Sequence, residues 1–338
     1  MTPDVSVIIV NLNTRDLLRG CLISLRDNPQ DVSMEVLVFD NGSTDGSIEM
    51  VRTEFPAVRL TLNETNEGFA RPNNEGMRES AGRHVLLLNS DTVVQDNAIG
   101  KLVRFLDEHP NAGACGPKLV YPDGRLQPSV KGFPTLWSLA CDMLFLDKLF
   151  PGSALFGRAE AATFPYNETR EVDHLMAAVF LVRRDALLQC GLLDERFSIY
   201  YNDMDWCYRF RQAGWAIFYV QEARVIHYLG QTTKNVNRNF QFLEEMHDNR
   251  LLFYQKRYGR WSVSAAKCLL ALGYMLRAVG WTAARAAFRS EAARTMCIFS
   301  WRSFAYGARF WTPLPYGRGA EPGRLPLDGG QEAMAPNR

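Results

Sequence analysis

Four side chains in this sequence stand where chemistry could be done: Asp40, Asp91, Asp203 and His227. Asp40 follows the apolar run Val36-Leu37-Val38-Phe39, Asp91 closes Leu86-Leu87-Leu88-Asn89-Ser90-Asp91, and His227 follows Arg224-Val225-Ile226. Each run reads as a buried strand, and in an open parallel sheet ligands bind just outside the carboxyl ends of the strands. Asp91 and His227 offer one oxygen and one nitrogen. With two diphosphate oxygens and water they make the mixed site that suits Mg2+ or Mn2+. Each position also has an ordinary structural alternative. Asn89-Ser90-Asp91 can be a turn and cap, Asp40 a turn residue, Asp203 the N-cap of a helix reaching Ala213, and His227 a buried, hydrogen-bonded imidazole. Asp205 is spaced to pair with Arg209 one turn on. No Gly-x-Gly-x-x-Gly or Walker-type cradle is present, so any nucleotide must be held by other means, such as a metal on its phosphates.

The elements needed to position these residues are legible in order. Val5-Ser6-Val7-Ile8-Ile9-Val10 is a β-branched first strand. Leu17, Leu18, Cys21, Leu22 and Leu25 then recur at helical spacing. Strands are expected at 36–39, 58–62 and 85–88; a helix carrying Ile48, Met50 and Val51 follows the first, and helices near 66–80 and 98–108 follow the others. This β-α alternation implies a parallel sheet with helices on both faces, joined by right-handed crossovers. Between 117 and 165, Pro, Gly and aromatic residues suggest hairpins and loops, with one helix near 136–149. A strand over 176–182, a helix from Asp185, a loop over 193–202 and a helix from Asp203 follow. Gly214 ends that helix. Short strands are expected at 216–220 and 224–226, and a polar helix over 239–258.

Composition narrows the class. The chain has 338 residues, 47% of them hydrophobic, and a net charge of +1. It is long enough for one large domain or a domain with an appendage, and no overall field points to nucleic acid. Seven scattered cysteines without a Cys-x-x-Cys argue for reduced thiols and a cytosolic compartment, and against a structural zinc site. The N-terminus runs straight into a strand, with no signal peptide.

In order, these motifs resemble glycosyltransferase family 2, of the inverting GT-A type. The matching stretches are the first strand with Asn11, the block from Asp40 to Ser47 (Asp-Asn-Gly-Ser-Thr-Asp-Gly-Ser), and Asn66-Glu67-Gly68-Phe69-Ala70 followed by Asn74 and Gly76. They continue with Asn89-Ser90-Asp91 in place of a metal-binding Asp-x-Asp, then Gly191-Leu192-Leu193-Asp194-Glu195-Arg196-Phe197, Asn202-Asp203-Met204-Asp205 and His227. The rhamnosyltransferase-like subgroup is the most similar. The resemblance spans about 5–230. Three departures stand out: Asn89 and Asn202 replace acids, and Met176-Ala177-Ala178 stands where a Gly-Ala pair is usual, which implies a tighter acceptor floor.

The resemblance implies an α/β, GT-A nucleotide-diphospho-sugar transferase fold with a mostly parallel central sheet plus a helical C-terminal extension. It implies Asp203 as the catalytic base, Asp91 and His227 as ligands of Mg2+ or Mn2+, and Asn202 and Asp205 on the acceptor side. Donor contacts would fall to Asn11, Asp40, Asn66, Gly68, Arg71, Asn74, Asn89 and Ser90. Arg71 has a second reading as a solvated helix residue, and Asp45 reads as a cap. The catalytic domain is expected over 1–235, with a donor half to about 116 and an acceptor half after it. The function expected is metal-dependent transfer of a single sugar, with dTDP-rhamnose as donor, to a glycan or lipid-linked saccharide in cell-envelope polysaccharide synthesis. A processive polymerase is disfavoured, because the chain lacks a Gln-x-x-Arg-Trp motif. The rivals are a nucleotidyltransferase and a catalytically silent sugar-nucleotide-binding scaffold.

From Lys256 to Arg309 ten basic residues face one acid, Glu291, among many aromatic and aliphatic residues. Lys267 and Arg277 interrupt the most apolar part, which disfavours a spanning helix. The expectation for 236–312 is a basic, aromatic extension lying on an anionic membrane, at the inner face of the cytoplasmic membrane. A helical lid or a homo-oligomer interface is the alternative. No nucleic-acid motif accompanies the basic residues, and 313–338 reads as a disordered tail.

Overall fold

Strand β1 (Val5–Asn11) is the hub of the parallel half of the sheet, with β2 (Met34–Asp40) on one side and β4 (His84–Asn89) on the other. A computed structural model describes residues 2–28, 31–150, 152–153, 155–156, 164–198, 200–229, 240–288 and 290–308. β3 (Arg59–Leu62) adds to β2, and α1 (Arg15–Asp27), α2 (Ser47–Glu54) and α3 (Ala70–Glu79) make the crossovers. The run of three leucines in β4 follows from a sheet covered on both faces. Leu86 and Leu88 join one apolar layer, with Val7 and Ile9, and Leu87 joins the other, with Ile8. Helices α1 and α2 and the later α4 (Ala98–Glu108) cover the first layer through Leu18, Leu22, Met50 and Leu102. Helix α3 lies so close to the second that a Cβ on Gly76 would sit 2.6 Å from Ile8 Cγ2 and 2.9 Å from Phe39 Cε2.

Beyond β4 the sheet changes character. Its order continues β10 (Val179–Arg183), β6 (Ala112–Val120), β11 (Ala216–His227) and β5 (Thr92–Val94). β10 is antiparallel to both β4 and β6, whereas β11 is parallel to β6 and antiparallel to β5. β8 (Arg170–Glu171) pairs with β11, and β7 (Val130–Lys131) pairs with β9 (His174–Leu175) as a separate ribbon. Helices α7 (Arg184–Cys190) and α8 (Asn202–Gln212) cover the second face, where Trp206 stacks on Phe180 at 5.6 Å.

The structure corrects several expectations. The segment after Asp91 is not only a turn: β5 leaves its neighbour β4 and pairs across the sheet edge with β11. The two short strands expected near 216–226 are one bulged strand, with the irregularity between Val220 and Arg224. The helix expected near 136–149 breaks into α5 (Leu136–Met143) and α6 (Leu146–Leu149) at Phe145, whose φ is 62°. Asp203 is not an N-cap. It lies inside α8, after Tyr200 and Tyr201, which are both left-handed with φ of 51° and 58°. Left-handed conformations at two bulky residues in succession are costly, and such strain is retained where surrounding structure dictates it.

The C-terminal helices α9 (Phe240–Tyr258), α10 (Arg260–Phe288) and α11 (Glu291–Gly307) share a third apolar cluster with α5, Phe197 and Met204. Helix α10 spans 29 residues and carries a stretch long and apolar enough to cross a membrane, one third of it buried inside the protein. Lys267 and Arg277, which interrupt the most apolar part in sequence, do not stand on its outer face. Lys267 is buried. Arg277 turns inward, donates to the carbonyls of Asp142 and Met143 at 2.9 Å each, and lies 4.1 Å from the Phe145 ring. It thus closes the C-terminal end of α5, where free carbonyls attract a cation. The segment 230–239 and the expected tail at 313–338 lie outside the described residues.

Candidate active site

At the ends of β1, β2 and β4, Asn11 pairs with Asp40, and Asn89 pairs with Val10, one residue before Asn11. Asn11 Nδ2 donates to Asp40 Oδ2 at 2.7 Å, and the Ser43 N–H donates to Asp40 Oδ1 at 2.7 Å. Thr14 Oγ1 donates to Asn11 Oδ1 at 2.6 Å and lies 3.0 Å from Ser90 Oγ. Asn11, Asp40 and Ser90 thus belong to one buried polar chain that locks three strand ends together. They build the shelf on which a donor would rest, and Asn11 and Asp40 are sealed beneath it.

The next loop is tied by Asn41, a residue the sequence reading passed over. Asn41 Nδ2 donates to Asn66 Oδ1 at 3.3 Å and to the Gly68 carbonyl at 2.9 Å. Asn66 also accepts from the Gly68 N–H, and Gly68 takes a φ of 78°. Two expected donor contacts are corrected. Arg71 is an exposed helix residue flanked by Glu67 and Glu75 at 3.2 and 3.5 Å, which matches its solvated reading. Asn74 is buried, and its amide clasps the Leu193 N–H and carbonyl at 2.9 and 3.0 Å and Glu195 at 2.8 Å. Its hydrogen bonds, which use both amide hydrogens, hold the loop before α8.

The β5–β11 ladder pairs His227 with Thr92, which brings the imidazole beside Asp91. His227 Nε2 lies 3.2 Å from Asp91 Oδ1 and 3.5 Å from Asn89 Nδ2, and all three residues are largely shielded from solvent. Gln127 sets the tautomer. Its Nε2 donates to the His227 carbonyl at 3.3 Å, so its Oε1 faces His227 Nδ1 at 2.7 Å and that nitrogen carries the proton. Nε2 is then the ring nitrogen that faces Asp91. Two adjacent ligands of an octahedral Mg2+ at about 2.1 Å each stand ~3.0 Å apart, so the observed pair fits a small divalent cation. Among the described residues no third His, Cys, Asp or Glu joins them, so further ligands would come from substrate oxygens and water. Gln127 had no signal in the sequence, because it sits in the aperiodic stretch after β6. Gln127→Leu is expected to weaken Mn2+ affinity by about 10- to 100-fold with the fold intact, measured by calorimetry. Unaltered affinity would remove Gln127 from the centre.

The catalytic candidate lies one peptide away from this edge. Asn89 N–H donates to the Ala178 carbonyl at 2.9 Å, and the adjacent Ala177 N–H donates to Asp203 Oδ2 at 3.2 Å. The stretch expected as an acceptor floor thus bridges the β4 end and Asp203. Asp203 Oδ1 accepts from the Met204 N–H at 2.8 Å. Burial pushes the Asp203 carboxyl up, but the charge and proximity of His174 together with the two N–H groups outweigh it and hold it below the ordinary aspartate value. Asp203 is therefore ionised across neutral pH, as a base must be.

Asn202 and Asp205 are corrected as acceptor-side residues. Asn202 is buried and donates to the Phe197 carbonyl at 2.9 Å. Asp205 is buried between Arg209 at 2.9 Å, the pair expected from spacing, and Lys256 at 2.5 Å. Lys256 also bonds Asp194 at 2.6 Å, so α9 is bolted to α8 and to the loop before it.

The sheet order, the antiparallel β10 beside β4 and the carboxylate–histidine edge define a GT-A glycosyltransferase fold. Two solved structures share it. One is the mannosyltransferase PcManGT from Pyrobaculum calidifontis in complex with GDP-Man and Mn2+, with a TM-score of 0.51 and 18% identity over 92% of this chain and 87% of that one. The other is GalNAc-T7 with UDP, GalNAc and Mn2+, with a TM-score of 0.51 and 16% identity over 75% and 50%. The family model described as "Glycosyl transferase family 2" matches residues 6–157. N-acetylglucosaminyl-diphospho-decaprenol L-rhamnosyltransferase of Mycobacterium tuberculosis is 29% identical over 77% of this chain and 87% of its own. O-antigen biosynthesis protein RfbC of Myxococcus xanthus is 28% identical over 67% of this chain and 17% of its own. The chain is thus similar to glycosyltransferase family 2 over residues 6–157 and to an L-rhamnosyltransferase over most of its length.

Proposed function

We propose that this protein is an inverting glycosyltransferase that moves a single L-rhamnose from dTDP-L-rhamnose to a hydroxyl of a glycan or lipid-linked saccharide, in cell-envelope polysaccharide synthesis. The observation that carries this reading is the reach of the likeness to an L-rhamnosyltransferase, 87% of whose length is matched. Asp203 takes the proton of the acceptor hydroxyl as its oxygen attacks the anomeric carbon. The bond from that carbon to the diphosphate breaks, and the electron pair leaves with the phosphate oxygen. One displacement with no enzyme nucleophile inverts the centre. Asn11, Asp40, Asn66, Gly68 and Ser90 shape the shelf for the nucleotide, and Asn89 lies beside the metal pair. Mg2+ or Mn2+ held by Asp91 and His227 would supply Lewis-acid stabilisation of the departing diphosphate.

A thermal-shift screen tests this reading. dTDP-L-rhamnose with Mn2+ is expected to raise Tm more than UDP-, GDP- or other dTDP-sugars, and Asp91→Ala to remove the metal-dependent part. A larger shift with another sugar nucleotide would overturn the donor. An equal shift in the presence of chelator would overturn the metal site.

The reading extends to an anionic membrane surface at the cytoplasmic face. Trp261, Leu272, Met275, Leu276 and Val279 form an exposed stripe on α10 that carries no charge. Arg260, Arg285 and Arg294 are exposed on α10 and α11. An apolar stripe with basic surroundings suits a helix lying in the plane of an anionic leaflet. Because Lys267 and Arg277 point into the protein, α10 would lie on the membrane rather than cross it. Leu276→Glu with Val279→Glu is expected to abolish flotation with phosphatidylglycerol vesicles and leave Tm unaltered. Full flotation of the double variant would sink this surface.

A further inference from the structure

We propose that His174 is a positioning partner of the base Asp203, engaging one carboxylate oxygen so that the other, Oδ1, is the one offered to the acceptor hydroxyl. The inference rests on the reading of Asp203 as base. His174 lies in β9 and is buried, and its Nε2 stands 3.3 Å from Asp203 Oδ2. The same oxygen accepts from the Ala177 N–H at 3.2 Å. The Ala177 N–H takes one lone pair of Oδ2 and the imidazole edge stands over the same oxygen, so Oδ2 is the oxygen crowded by the protein. Among the described residues Oδ1 accepts only the Met204 N–H, at 2.8 Å, which leaves it one lone pair. About a fifth of the Asp203 side chain is exposed, enough for one hydroxyl to reach it.

The burial of the imidazole supports the assignment. Neither ring nitrogen of His174 has an aligned hydrogen-bond partner among the described residues; the contact of Nε2 with Asp203 Oδ2 is an ion-pair approach at 3.3 Å. A buried polar nitrogen left unpaired costs about 1–3 kcal/mol, and an apolar residue in β9 would avoid that cost. The contact that accounts for an imidazole here is the one to Asp203. The other groups near the carboxylate cannot do the same work. Tyr200, on the loop before α8, and Cys207, one turn along it, both feel the negative charge of Asp203. Lys131, paired with His174 across the β7–β9 ribbon, is exposed.

The charge consequence has a definite sign. Burial alone raises the Asp203 carboxyl, and His174 is the foremost influence pulling it down. Without the imidazole, Asp203 takes up its proton at higher pH, and the acid limb of kcat/KM moves upward with it. Gln at 174 can still donate to Oδ2 but carries no charge, whereas Phe can do neither.

The experiment compares His174→Gln and His174→Phe with the unaltered protein, in the full chain. The Asp203 carboxyl is titrated by carbon NMR, assigned by its loss in Asp203→Asn, and dTDP release from dTDP-L-rhamnose in the presence of an N-acetylglucosaminyl-diphospho-lipid gives the rates. The titration midpoint is expected to rise in both variants. At neutral pH, kcat is expected to fall about tenfold in H174F and to recover in part in H174Q. KM for the donor should stay constant. If D203N is inactive yet both His174 variants keep the original titration and rates, the inference is overturned alone. An active D203N overturns the base assignment and the inference with it. Donor-induced thermal shifts confirm that each variant is folded.

Discussion

Asp203→Asn abolishes sugar transfer, with kcat expected to fall by about 10^2- to 10^4-fold, the range that a positioned base supplies. The donor does not touch this carboxylate in the proposed mechanism, so dTDP-L-rhamnose should still raise Tm by nearly the same amount. The substitution is not structurally silent. Both oxygens of Asp203 accept backbone N–H groups, from Ala177 and Met204, so an amide must turn its NH2 against one of them. A loss of about 1–3 kcal/mol of stability is expected, and the assay belongs well below the lowered Tm. The pH dependence follows from the depressed carboxyl. Its stabilising ionised form is present above the unfolded aspartate value of about 3.9 and is lost as pH falls through the lower folded value. Turnover limited by Asp203 is therefore flat through neutral pH. Turnover of a folded D203N within twofold of the parent would remove Asp203 as the base.

The second large effect lies behind the site. Lys256→Met is expected to destabilise the protein by roughly 3–5 kcal/mol. Asp194 is fully buried and accepts from Arg196 at 2.6 Å and Lys256 at 2.6 Å. Asp205 accepts from the same ammonium and from Arg209. Removing one cation leaves two buried carboxylates with one arginine each. Burial pushes Asp194 up, but Arg196 and Lys256 outweigh it and hold it at about 2. Its contribution is present above the unfolded value and fades as pH falls from about 3.9 toward 2. K256M raises the folded value, so acid unfolding should begin at higher pH. Urea titrations at neutral and acid pH measure both effects. Coincident curves for parent and variant would show the ammonium to be dispensable.

Much of this site was legible because it sits where periodic elements end. Asp91 and His227 could be paired from sequence, since both follow apolar runs long enough to read as strands. The β-α alternation through β4 was visible for the same reason. Gln127 was invisible, since its stretch has no period and its value lies in contact with a residue a hundred positions away. β5 has three residues, too few for alternation to show. Asn74 and Asp205 match family motifs, but a motif letter does not say whether a polar group faces substrate or holds a loop. Lys267 and Arg277 interrupt the most apolar part of the sequence, but that they turn toward α9 and α5 does not follow from helical spacing alone. His174 was not singled out, for its partner lies on another element.

The three-residue ladder between β5 and β11 bears on how the protein comes into being. Asp91 and His227 are 136 positions apart, and only the pairing of Thr92, Val93 and Val94 with His227, Ile226 and Val225 unites them. A slip of one residue would turn the imidazole to the opposite face of the sheet. During synthesis the first four strands emerge well before His227, so the nascent donor half holds Asp91 without its nitrogen partner. The Asp91–His227 pair is closed only when the last strand of the sheet docks in register, which makes completion of the sheet and assembly of this pair a single event.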